Sequence, residues 1–324
     1  MRALQISAYG DPLDVLELVD IPEPGVPGAG EVLIDVELAP LNLHDLLFIR
    51  GHFGGPAAPT VVGNEGFGRV AAIGPGVINV KVGDHVLTPV LGLTWRARMI
   101  ASAQGLFPLP DGDRLQLAQL GSNPPTAALI LSEYADLKPG DWVVQNAGNS
   151  GVGRSLSAIA KLRGIRTISF VRRPELIDEL KAAGADVVLL DEPAGIEEAV
   201  RVIGKGSVRL AVDSVGDDAT ATLIQLLSDR SVLVSYAAAT GRPMAINTLS
   251  LIGKHLTVKG FFLGDFDYSS KILPTQIEAA PLVASGALRV PVAAVYPMSK
   301  IKEAITHLLK GGKVLIDIAD GFEK

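Results

Sequence analysis

The chain of 324 residues carries 29 Lys and Arg against 35 Asp and Glu, a formal charge of −6, with 48% hydrophobic and 20% charged residues. That balance suits a globular protein long enough for two domains, excludes global disorder, and offers no broad cationic surface for nucleic acid or an anionic membrane. Apolar runs such as 187–190 and 292–295 fall far short of the roughly 20 residues of a membrane helix. No secretory apolar core follows Met1, so a cytoplasmic protein is expected. The sequence contains no cysteine, which excludes disulfides, thiol nucleophiles and thiolate-bound zinc. No His-x-x-x-His spacing appears either, and metal catalysis is not expected.

Texture changes near residue 115. Before it, short alternating segments are broken by turn signals at Pro22-Glu23-Pro24-Gly25, Gly54-Gly55-Pro56, Gly74-Pro75-Gly76 and Gly83-Asp84. Residues 31–38 place Val32, Ile34, Val36 and Leu38 on one face of a strand. From Leu117 strands and helices alternate, as in a parallel sheet covered on both faces. Pro139-Gly140-Asp141 launches a strand over 142–145, followed by a glycine-rich turn and a helix with Leu156, Ile159 and Ala160 inward. A strand over 167–171 leads to a helix opened by Pro174, with Leu176, Leu180 and Ala183 inward and Gly184 as its stop. Then come a strand over 187–190, a helix with Ile196, Val200 and Ile203 on one face, and a strand over 210–213. A helix through Leu223 and Leu227 and a strand over 232–236 complete a doubly wound α/β domain. Asp213, ending a strand, reads as a local backbone cap. After about residue 266 turns return, with a helix expected over 301–309 and a last strand over 314–318.

The turn after residue 145 reads Asn146-Ala147-Gly148-Asn149-Ser150-Gly151-Val152-Gly153, a Gly-x-x-Gly-x-Gly form with Ser150 where the commoner dinucleotide fingerprint has its second glycine. Small residues here let a pyrophosphate approach the unpaired N–H groups and positive dipole end of the following helix. About 20 residues on, where an acidic side chain would hold a ribose 2′-hydroxyl, stands Val171-Arg172-Arg173-Pro174. Two guanidinium groups suit a 2′-phosphate and leave no carboxylate to repel it, which favours NADPH over NADH.

These strings resemble the medium-chain dehydrogenase/reductase superfamily, in its zinc-free quinone reductase and mitochondrial-type trans-2-enoyl-thioester reductase branch. The resemblance also takes in Gly121-Ser122-Asn123-Pro124-Pro125-Thr126-Ala127, Ser235-Tyr236, Lys259-Gly260-Phe261-Phe262-Leu263, Asn42-x-x-Asp45 and Val62-Gly63-Asn64-Glu65-Gly66. It implies a GroES-like strand-rich domain over 1–118 and 267–324, a Rossmann NADPH-binding domain over 119–266, and substrate reduction at their junction. Cofactor contacts implied by the family fall on Asn123, Asn149, Ser150, Gly151, Val152 and Gly153, on Arg172 and Arg173, on Tyr236, Ala237, Ala238 and Ala239, on Phe261, Phe262, Leu263 and Gly264, and on Lys313. The chain is one residue shorter than the family's Arg-x-Arg between the two arginines.

At Arg50-Gly51-His52-Phe53 the enoyl-thioester reductases carry a tyrosine regarded as proton donor or substrate-orienting hydroxyl, and this chain has Phe53. Asn42, through its amide N–H, and His52, beside the missing phenol, are the remaining candidates to act on substrate; His44, His255 and His307 read as structural. The expectation is a zinc-independent oxidoreductase passing hydride from NADPH to a small-molecule acceptor, either a quinone or an activated C=C such as a 2-enoyl thioester or enone. The alternative is an NADPH-binding structural or regulatory module with little turnover. Family habit implies a homodimer.

Overall fold

The computed structural model describes residues 1–319. The chain divides into two compact units, one of Met1–Ser122 with the chain from Val290 onward, the other Asn123–Arg289. The helix Ile272–Ala284 therefore lies in the second unit, and the return to the first comes later than the change of texture near residue 267.

In the first unit, Leu16–Asp20, Arg2–Ile6 and Thr60–Val61 form a three-stranded antiparallel sheet. A larger sheet runs in the order Val292–Pro297, Lys313–Asp317, Glu31–Leu41, Phe67–Ile73 and His85–Leu87, with Arg98–Ser102 also paired to Glu31–Leu41. Val32, Ile34, Val36 and Leu38 are all buried, as their alternation predicts, because successive side chains of a strand point to opposite faces. The last strand pairs antiparallel with Glu31–Leu41, Val314 opposite Leu41, so the chain after Val290 completes this sheet. Trp95 is fully buried in its core.

The second unit is a six-stranded parallel sheet. Its spatial order is Val187–Leu190, Arg166–Val171, Trp142–Gln145, Val208–Asp213, Val232–Ser235 and Thr257–Gly260. Counted along the chain this is third, second, first, fourth, fifth, sixth, the doubly wound order whose switch point lies beside the first strand. Helices cover both faces, and Trp142 is buried with Arg166 over its ring at 3.8 Å. The helix Gly151–Leu162 buries Leu156, Ile159 and Ala160 as expected. Two expected inward residues are exposed. In Pro193–Ile203, Ile196 and Ile203 are half-buried against the core as expected, beside the buried Gly195 and Ala199, while Val200 is 58% exposed. The backbone runs so close here that a Cβ at 195 would collide with the Leu190 carbonyl, and only small residues fit. Ala183 is exposed because the helix ends at Ala182, with Gly184 turning the chain at φ +96°. Among the described residues no helix is long and apolar enough to cross a membrane.

Asp213 caps this architecture. Its Oδ1 accepts from Asn146 Nδ2 at 2.6 Å and from the N–H groups of Val215 and Gly216, and its Oδ2 accepts from Thr220 Oγ1 at 2.6 Å. Asn146 answers by accepting from the Ser214 N–H at 2.9 Å. Asp213→Ala strands several buried donors at once and is expected to cost about 3 kcal/mol, read as a lowered midpoint in denaturant unfolding; an unchanged midpoint would deny Asp213 this role.

Candidate active site

In the second unit the glycine turn is built by close packing. A Cβ on Gly148 would lie 2.5 Å from Ser169 Cβ, one on Gly151 2.5 Å from Asn123 Nδ2, and one on Gly153 2.7 Å from the Ala147 carbonyl. The left-handed residue of the turn is Ala147, at φ +46°. Ser150 caps the helix Gly151–Leu162, its Oγ accepting from the Gly153 N–H at 3.1 Å. Buried Gln145 fastens the strand to the turn, donating to Gly153 O at 2.9 Å, Ser157 Oγ at 3.1 Å and Ser169 Oγ at 2.9 Å. Arg154 holds the Asn149 carbonyl at 3.1 Å and pairs with Glu179, so its charge is consumed inside the fold.

The expected cofactor residues of this unit gather at the carboxyl ends of the strands. The Tyr236 hydroxyl hydrogen-bonds the side chains of Ser214 and Ser150, and burial raises its pKa. The N–H groups of Tyr236 and Ala239 donate to the carbonyls of Asp213 and Ser214, which lays 236–239 along the neighbouring strand end, with Ala237 half-buried and Ala238 exposed. Arg172 and Arg173 are exposed directly after Arg166–Val171, one strand over from the glycine turn, and Arg173 makes a long 3.7 Å pair with Glu175. Past the edge strand, Phe261 is buried core, stacked on Tyr268 at 5.1 Å, whereas Phe262 and Gly264 are exposed and Leu263 half-buried. Val152 is buried in the helix's first turn. Structure thus gives Phe261 a packing role beside whatever it does for a ligand.

In the first unit a polar chain surrounds Asn42, the cap of the helix Leu43–Ile49. Lys313 Nζ donates to Asn42 Oδ1 at 2.5 Å, and Asn42 Nδ2 donates to Glu65 Oε1 at 2.6 Å. Lysine has only donors and a carboxylate only acceptors, so the amide can face just one way. Glu65 has no exposed surface and also receives the side chain and N–H of Ser122; Gly121 has no Cβ because one would collide with Glu65 Oε2. Asp45, likewise buried, accepts from the Asn42 N–H at 2.8 Å and from the Asn64 N–H and Nδ2 at 3.1 and 2.7 Å. Burial raises both carboxyl pKa values, that of Asp45 to about 7 from 3.8, and lowers that of Lys313, whose charge Glu65 and Asp45 support. The native state therefore keeps the Asp45 proton to higher pH than the unfolded chain, and ionising it costs stability between about pH 4 and 7.

Phe53, 47% exposed, stacks on His44 with ring centroids 4.8 Å apart and planes 26° from parallel. His52 is exposed. Asn42, Lys313 and Phe53 thus share one neighbourhood with four residues not singled out as site residues: His44, Asp45, Asn64 and Glu65. Asp45, Asn64 and Glu65 lay within the strings of family resemblance, and their acidic and amide chemistry inside apolar sequence was the available signal.

The chain matches the family described as zinc-binding dehydrogenase over residues 151–278 and that described as alcohol dehydrogenase GroES-like domain over 28–111. It is 34% identical over 323 residues to the mitochondrial enoyl-[acyl-carrier-protein] reductase of Rattus norvegicus, covering 96% of this chain and 86% of that one. The chain belongs to the medium-chain dehydrogenase/reductase superfamily. Among solved members, a mycobacterial protein in complex with NADPH is 28% identical with a TM-score of 0.83, over 98% of this chain and 100% of that chain. A Bacillus thuringiensis protein assigned as an NADPH:quinone reductase is 25% identical with a TM-score of 0.86, over 98% of each chain.

The sequence has no cysteine, the described residues hold no group of three or more His, Cys, Asp or Glu able to share an ion, and Lys313 is the cation facing Asn42, Glu65 and Asp45. NADPH does fit the second unit: glycines at 151 and 153 keep bulky side chains out of the first turn of Gly151–Leu162, where a pyrophosphate would lie, and the arginines beside it are exposed.

Lys313→Met leaves two buried carboxylates without their cation and is expected to destabilise by about 3 kcal/mol. Adding Glu65→Gln removes one of those charges and recovers part of the loss. Denaturant titration of the singles and the double checks this, and simple additivity would refute the coupling.

Proposed function

We propose that this protein reduces an electron-poor acceptor, an activated C=C such as that of a 2-enoyl thioester or enone, or a quinone, with NADPH. NADPH, when bound, supplies the hydride. In this reading the pyrophosphate sits on the N-terminus of Gly151–Leu162, with Asn123, Asn149, Ser150, Gly151, Val152 and Gly153 around it. Arg172 and Arg173 take the 2′-phosphate, and 236–239 with 261–264 line the rest of the cofactor. Lys313 serves the first unit's site through Asn42, whose second amide hydrogen is directed to the acceptor's carbonyl. The observation that carries the reading is the glycine turn at the switch point of the parallel sheet, with two exposed guanidinium groups one strand away.

The test follows NADPH absorbance with a short quinone, a crotonyl thioester and a simple enone. Oxidation with any of them supports the reading; NADPH binding without oxidation would favour a binding module instead. Arg172→Ala/Arg173→Ala is expected to weaken NADPH binding roughly 10- to 100-fold, the loss of one or two charge-assisted hydrogen bonds, and to leave NADH binding unchanged. Titration with both cofactors decides it, and equal use of NADH by the unaltered protein would sink the arginine assignment.

The reading extends to a cytoplasmic homodimer. The parallel sheet ends in the largely exposed strand Thr257–Gly260, and the preceding helix Thr248–Gly253 buries none of its residues, with Leu249 79% and Ile252 65% exposed. An open edge with apolar side chains beside it favours pairing with a second copy. Leu249→Glu/Ile252→Glu is expected to convert a dimer to monomer in sedimentation analysis, and an unchanged mass would place the interface elsewhere. Co-fractionation with cytosolic markers tests the compartment.

A further inference from the structure

At the ligand end of the parallel sheet the second unit carries an acidic side chain not yet assigned a role. Asp191 follows the outermost strand, Val187–Leu190, in which Leu190 pairs with Val171, so Asp191 and Arg172 leave neighbouring strands side by side. The Asp191 N–H donates to the Val171 carbonyl at 2.9 Å, which fixes its main chain beside the arginine pair. Its carboxylate is held from beyond the switch point: buried Thr222, on the helix Asp217–Leu226, donates through Oγ1 to Asp191 Oδ1 at 2.9 Å. That leaves Oδ2. The residue is half-buried, and its Oδ2 has no partner among the described residues and is not one of their polar atoms closed off from solvent. Helix capping does not use it, because Pro193–Ile203 begins at Glu192 without a side-chain cap bond.

We infer, resting on the NADPH reading above, that Asp191 reads the base of the cofactor, its Oδ2 accepting a hydrogen bond from the 6-amino group of adenine. The covalent structure of NADPH sets the reach. The base is joined to the same ribose whose 2′-oxygen bears the phosphate, so a phosphate on Arg172 and Arg173 brings adenine to the next strand end, about 4.8 Å across the sheet. The amine is the only N–H donor of that base, and an ionised carboxylate only accepts. Contact with the sugar instead would set the carboxylate against the 2′-phosphate. Asp213, at the end of the fourth strand, is already spent on Asn146, Val215, Gly216 and Thr220. Burial raises the pKa of Asp191 and Asp213 adds to the shift, so the contact is best measured in mildly alkaline solution, where the carboxylate is charged.

The experiment titrates the unaltered protein, Asp191→Asn and Asp191→Ala with NADPH and with deamino-NADPH, in which hypoxanthine replaces adenine, and reads binding calorimetrically. Hypoxanthine carries a carbonyl where adenine carries its amine, so its oxygen would meet an acceptor. The unaltered protein is expected to bind NADPH roughly 10- to 100-fold more tightly than the deamino form, the loss of one charge-assisted hydrogen bond. That ratio needs no variant to fold. Asp191→Asn keeps the shape of the side chain, and because Thr222 still donates to Oδ1 it turns an NH₂ toward the base; it is expected to erase or reverse the preference. Asp191→Ala is expected to bring the two affinities within about threefold of each other. Arg172→Ala/Arg173→Ala, in contrast, is expected to weaken both and leave their ratio unchanged. Equal binding of the two cofactors by the unaltered protein, or a folded Asp191 variant that keeps the original preference, would overturn the role of Asp191 and leave the NADPH reading standing. An unaltered protein that binds neither would overturn that reading, and this inference with it.

Discussion

A carboxylate with no exposed surface has to be answered by donors, and Glu65 sets the terms for the polar interior of the first unit. Ser122 and Asn42 donate to it, Gly121 gives it room, and Lys313 balances its charge through the Asn42 amide. Because both ends of that amide are engaged, Asn42 has a single orientation and Asp45 can cap its main chain without competition. The arrangement is costly to bury and gives direction in return: each side chain in it has one donor–acceptor assignment.

The second unit reaches the same definiteness by contact distance. Gly148, Gly151 and Gly153 each stand where a side chain would meet Ser169, Asn123 or the turn's own backbone. Gln145 and Asn146, both buried, spend their amides tying the strand to the turn and to Asp213. The helix N-terminus is thereby fixed in place with its amides toward the strand ends, which is what an anion requires of it.

Much of this was legible in the sequence because the signals were local. Alternation over Val32, Ile34, Val36 and Leu38, and the turn between residues 145 and 154, depend only on near neighbours, and both stand as read. On Pro193–Ile203, Ile196 and Ile203 pack on the core as read but Val200 does not, because hydrophobicity alone ranks Val200 above Ala199, whereas the close approach at Gly195 favours small residues beside it. The link from Lys313 to Asn42 spans 271 positions, and no pattern along the chain announces it. The contact of His44 with Asn64, 20 positions on, and its stacking on Phe53 likewise appear only once the helix and the following turn are folded.

Trp95 and Trp142 are the only tryptophans, each deeply buried, and each belongs to a different unit. The molecule thus carries two built-in fluorophores, one reporting on each unit. Replacing either one by phenylalanine would let the melting of its counterpart's unit be watched alone, so that a ligand's grip on one half can be distinguished optically from its grip on the other.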